Sequence, residues 1–120
     1  MTIEPKPLSW RGSSKADFMA FPASVQREMG YALFLAQMGE RHPTMARTLA
    51  GFGGGAVVEV RESRQGNAFR AVYTTRYADT IYVLHAFQKK SRKGIATPRA
   101  EIDLVRQRLS DLIQEKEKSA

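Results

Sequence analysis

Cysteine is absent from the 120 residues, which removes disulfide bridges, thiolate nucleophiles and cysteine-ligated zinc together. A reducing compartment is the expectation. Histidine is scarce, with only His42 and His85, so a paired-histidine acid–base site is out of reach and a metal cluster has little to draw on. No metal and no cofactor are expected. Also missing is any run approaching the roughly 20 apolar residues that span a bilayer. Residues 1–7 lack the apolar centre of a signal peptide, so a cytoplasmic protein without membrane association is expected.

Acidic residues are in deficit. Twelve stand against 19 lysines and arginines, for a net charge of +7, and such a field draws in polyanions. Nucleic acid is the commonest large one in cytoplasm. With 42% hydrophobic and 26% charged residues the chain has the mixture of a folded globular protein, and its length suits one domain spanning residues 1–120.

The pattern along the chain is helices, then strands, then a helix. Residues 8–10 suit a short strand. Ser14 and Asp17 have the spacing of a capping box, opening a helix that Pro22 must end near Phe21. Ser24 suits the cap of a longer helix whose Val25, Met29, Ala32, Leu33 and Ala36 share one face, ending near Gly39. Residues 45–52 suit neither period clearly. After Gly53, Gly54 and Gly55, which lack the lysine and hydroxyl of a phosphate loop, three strands are predicted at 56–62, 69–77 and 80–88. A turn at 63–67 and another at 78–79 are short enough to force an antiparallel meander. A basic loop at 89–94 precedes a helix capped by Thr97, with Pro98 first and Ile102, Val105, Leu109, Leu112 and Ile113 as its stripe. Residues 115–120 read as a frayed tail. The class is α+β: a small antiparallel sheet with helices packed on one face.

Alternate strand side chains then point away from the helices. Val58 and Val60 on the core face leave Glu59 and Arg61 on the other, Arg70 joins them because it cannot be buried unpaired, and His85, Phe87 and Lys89 form one row. With Lys90 these make a cationic patch containing an aromatic ring, suited to phosphates and an unpaired base. Each residue alone reads as well as a solvated strand position. The segment holding Lys89, Lys90, Ser91, Arg92 and Lys93, through to Arg99, carries five cations and no acid, which sharpens the pattern. Metal-free RNA cleavage by 2′-hydroxyl attack needs a base, a cation for the pentavalent phosphate and an acid. Arg70 suits the phosphate because its fork grips two oxygens and stays charged. A lysine crowded by cations loses proton affinity, which suits Lys89 or Lys90 as base or acid, with His85 as the other candidate.

The runs Glu59-Val60-Arg61, Phe69-Arg70-Ala71-Val72-Tyr73 and Ile81 through Ser91 (IYVLHAFQKKS) belong to one pattern with Ala96-Thr97-Pro98, Glu101, Ile102 and Arg108. Together they resemble the phage-derived HigB-like toxins of the RelE/ParE toxin superfamily, over residues 10–109. The resemblance implies a RelE-like toxin fold, an endoribonuclease (mRNA interferase) acting on mRNA at the ribosome, and a cognate helix-turn-helix antitoxin. It implies that Arg70 meets phosphate and that Lys89 and Lys90 stand where catalytic groups cluster. Glu59, Arg61, Tyr73, His85 and Phe87 are further positions it points to for RNA contact or chemistry. The alternatives are a non-catalytic ParE-like gyrase poison and a basic nucleic-acid-binding module; no helix-turn-helix pattern favours the latter.

Overall fold

Two runs of β-branched and aromatic residues, rich enough to pair without help from the termini, build the centre of the molecule. The structure is a computed structural model and describes residues 3–90 and 97–119. Its elements are β1 (Leu8–Trp10), α1 (Ser14–Met19), α2 (Ala23–Gln37), β2 (Ala46–Thr48), β3 (Val57–Arg64), β4 (Asn67–Thr74), β5 (Ile81–Lys90) and α3 (Arg99–Ser119). The strands form one sheet in the order β1-β5-β4-β3-β2.

β3 and β4 pair antiparallel without interruption from Val57↔Thr74 to Arg64↔Asn67. That leaves only Gln65 and Gly66 to turn, both at positive φ (50° and 80°), the two-residue primed turn whose twist matches its strands. The strands therefore take up most of the predicted 63–67 turn. Gly66→Val is expected to cost about 1–2 kcal/mol, because a β-branched residue resists positive φ; an unchanged midpoint in urea would contradict this. β2, in the stretch that sequence period left open, pairs antiparallel with β3. β1 runs parallel to β5, so the sheet is antiparallel except at this edge.

Strand parity sorts the core into two. Val58, Val60, Phe69, Ala71, Tyr73, Ile81, Val83 and Ala86 pack with the α1–α2 pair. Val57, Val72, Tyr82 and Leu84, the alternate positions, pack with Val105 and Leu112 of α3 and with Leu49. The α+β class holds, with α1 and α2 filling one face. α3 crosses the other and covers part of the face expected to stay open.

Local details differ from expectation where tertiary contacts compete. Ser14 does not cap α1; it is buried, and its hydroxyl donates to the Val83 carbonyl, tying α1 to β5. Asp17 accepts from the Ser13 hydroxyl instead. α2 begins right after Pro22, so Ser24 lies inside the helix. Gly39, at φ 82°, closes it as predicted, with the Glu40 N–H reaching the Leu35 carbonyl at 2.8 Å and Gly39 N–H reaching Ala36 at 3.0 Å. β4 stops at Thr74, short of Tyr77, and β5 extends through Lys89 and Lys90, which were expected in a loop. The tail is helical to Ser119: Glu115 pairs with Arg11, and the Lys116 ammonium lies 5.2 Å from the Tyr77 and Tyr82 rings. Among the described residues no helix is long and apolar enough to cross a membrane.

Candidate functional site

Cross-strand pairing assembles the polar residues of the α3 face in rows. Arg47, Glu59, Val72 and His85 are successive partners across β2, β3, β4 and β5; Arg61, Arg70 and Phe87 form the next row. Ser63, Ala68 and Lys89 follow in the third. Directly paired residues share a face, and Arg70 and Lys89 are diagonal neighbours at roughly 7–8 Å. Six of the expected positions, Glu59, Arg61, Arg70, His85, Phe87 and Lys89, thus lie together.

Tyr73 does not join them. It sits on the opposite face, 1% exposed in the core beneath α2, and burial pushes its phenol pKa up. Its odd-numbered place on β4, in phase with Phe69 and Ala71, fixes that side. Lys90 ends β5 opposite Asn67, but its side chain, like Ser91, Arg92 and Lys93, lies outside the described residues.

The face is also less open than expected. Glu59 is 1% exposed, Arg70 3% and His85 5%, because the start of α3 closes over them. Thr97 does not cap α3 with its side chain. Its hydroxyl donates to Glu59 Oε2 at 2.6 Å and accepts from Arg70 Nη1 at 3.1 Å, bridging a carboxylate and a guanidinium that stand 3.8 Å apart. Arg61 Nε donates to the other Glu59 oxygen, and the Arg61 side chain remains 29% exposed. Burial lowers the Arg70 pKa, Glu59 opposes that shift and Arg61 adds to it. Arg70 nevertheless stays charged at neutral pH.

A second network surrounds His85. Its Nε2 is 2.8 Å from Glu101 Oε2, and its Nδ1 is 3.2 Å from Arg108 Nη1. Arginine only donates, so Nδ1 accepts and Nε2 carries the proton given to Glu101. Both ring nitrogens are engaged, and neither is presented to substrate as a base. Phe87, expected as a stacking surface for a base, is buried and stacks on the His85 ring at a centroid distance of 5.0 Å. Arg108 also donates to the Leu84 carbonyl (2.9 Å) and the Ser13 hydroxyl (3.1 Å), joining α3, β5 and the start of α1. Gly12, at φ 54°, makes room: a Cβ there would lie 2.7 Å from Arg108 Nε.

β5 achieves this arrangement with a bulge. Val72 pairs with His85 but Tyr73 with Val83, so Leu84 is the extra residue. Sequence reading missed this bulge, the role of Thr97 and the face of Arg47, whose strand had no clear period. Among the described residues no group of three or more histidine, aspartate or glutamate side chains gathers as a metal site.

A family model described as Phage derived protein Gp49-like matches residues 16–110. No curated protein matches the chain. Among solved structures the chain is similar to one from the crystal structure of the toxin–antitoxin complex RelBE2 of Mycobacterium tuberculosis. That similarity is at 12% identity and a TM-score of 0.47, covering 75% of this chain and 98% of the other.

Proposed function

The chain belongs to the phage-derived Gp49-like family, and from that premise we propose that it is the toxin of a type II toxin–antitoxin pair, a HigB-like endoribonuclease that cuts mRNA at the ribosome. The observation that carries this reading is the row of Arg61 and Arg70 with Lys89 diagonal to it, on one sheet face beside Glu59. The net charge of +7 supports a polyanionic target.

In this reading the 2′-hydroxyl of the RNA attacks the adjacent phosphorus. The 2′-O–P bond forms, the P–O5′ bond breaks, and a 2′,3′-cyclic phosphate and a free 5′-hydroxyl result. The attacking hydroxyl gives its proton to a base, and the departing 5′ oxygen takes one from an acid; Lys89 and Lys90 fill these roles. Arg61, the more exposed guanidinium of the two, meets the phosphate directly. Arg70 supports the developing charge from beneath, where low polarisability makes its field count for more. His85 is held by Glu101 and Arg108 and serves to position the end of β5. No metal takes part.

Induced expression is the test. Growth arrest with new mRNA ends bearing 5′-hydroxyls is expected, relieved by a neighbouring helix-turn-helix antitoxin with an acidic segment and reduced about 10²-fold or more by Lys89→Ala. Arrest with intact transcripts and broken DNA would instead indicate gyrase poisoning and overturn the nuclease.

A further inference from the structure

Beside the Glu59 network, between β2 and the first turn of α3, lies a cleft of about 410 Å³ lined by Arg47, Thr48, Leu49, Glu59, Arg61 and Ile102, together with Ala50 and Thr97. Its walls differ in chemistry. Leu49 is buried and Ile102 half-buried, giving an apolar surface. Arg47 is paired with Glu59 in the sheet, so its side chain rises on the same face, at the exposed edge strand. Arg61 stands two residues beyond Glu59 on that face. Three guanidinium groups, Arg47, Arg61 and Arg70, therefore surround one carboxylate, and that carboxylate is already engaged by Arg61 and Thr97. Among the described residues the Arg47 guanidinium makes no side-chain hydrogen bond or ion pair, unlike those of Arg61 and Arg70.

An exposed guanidinium at the mouth of a small cleft with an apolar wall matches one ligand chemistry well: a flat ring joined to a phosphate. The volume is within the range of small-molecule sites, and admits a single unpaired base rather than a duplex. We propose that this cleft is a subsite for one nucleotide of single-stranded RNA next to the bond that is cut. Its base lies against Leu49 and Ile102, and its phosphate is held by Arg47. The assignment rests on the nuclease reading above and extends it to a residue that sequence period could not orient.

The test measures binding apart from cleavage. A labelled 2′-fluoro hexanucleotide, which lacks the attacking hydroxyl, is titrated with the full chain and its fluorescence anisotropy followed at several salt concentrations. Arg47→Ala is expected to weaken binding about tenfold, the size of a lost charge-assisted hydrogen bond, and to lower the salt slope by about 0.7, one phosphate contact on a single strand. Ala50→Trp, which fills the cleft from its exposed rim, is expected to weaken binding without changing that slope. Arg27→Ala, an exposed arginine on α2 across the sheet, is expected to stay within about twofold of the parent. Equal losses for Arg47→Ala and Arg27→Ala would reduce the effect to bulk charge and overturn the subsite, as would unimpaired binding by Ala50→Trp. If the parent binds and cleaves RNA while the Arg47 and Ala50 variants match it, only the subsite fails. If the parent binds no RNA at all, the nuclease reading fails with it.

Discussion

Arg70→Ala is expected to abolish growth arrest on induction and to slow single-turnover RNA cleavage by about 10²–10³, or about 3–4 kcal/mol of transition-state stabilisation. The size follows from where the group sits. Arg70 is a buried cation 3.8 Å from Glu59 and hydrogen-bonded to Thr97, so its position is fixed before substrate arrives. Charge held in place in a poorly polarisable setting favours a developing anion more than a mobile surface lysine does. The fold is expected to survive, since Glu59 keeps Arg61 and Thr97 as partners; a loss of about 1–3 kcal/mol in stability is the expectation. Arg70→Lys keeps the charge but not the fork, and should recover only part of the rate. A folded Arg70→Ala protein cutting RNA at the parent rate would remove the phosphate role from this residue.

Leu112→Ala is expected to destabilise the protein by about 2–5 kcal/mol, lowering the thermal midpoint on the order of 10 °C. Leu112 is 1% exposed and, with Val105, supplies the fully buried residues by which α3 meets the sheet. That core is the smaller of the two, so the shortfall is poorly shared. α3 carries Glu101 and Arg108 and follows directly on Thr97, so cleavage should fall together with stability. Lys118→Ala, on the exposed last turn, is the matched control and should shift the midpoint little. A Leu112→Ala midpoint within about 2 °C of the parent would mean that α3 is not held by this core.

Much of the architecture was legible because period and turn chemistry agreed with tertiary structure. Val25, Met29, Ala32, Leu33 and Ala36 form the buried face of α2 that their spacing predicts. Val58 and Val60 against Glu59 and Arg61 set the two faces of β3, and from there pairing carried Arg70, His85, Phe87 and Lys89 to the expected side. What escaped was decided by contacts between distant segments. Ser14 and Thr97 resemble helix caps in the sequence, yet Val83 and the Glu59–Arg70 pair claim their hydroxyls. Covering of the polar face depended on α3 folding back across it, and a stripe on a helix says nothing about which side of a sheet receives it. Tyr73 was drawn into the site by resemblance, although its own parity put it in the core.

The irregularity at Leu84 acts as a phase shifter. Upstream of it β5 keeps time with β1, and downstream it keeps time with the far ends of β3 and β4; a uniform strand could satisfy only one of these beats. Straightening the strand with Leu84 kept in strict alternation would turn His85, Phe87 and Lys89 over to the α1–α2 side and bring Ala86 and Gln88 into their places, whereas deleting Leu84 would leave all three where they are. One surplus residue therefore decides which half of the strand's chemistry meets solvent and which is spent on packing.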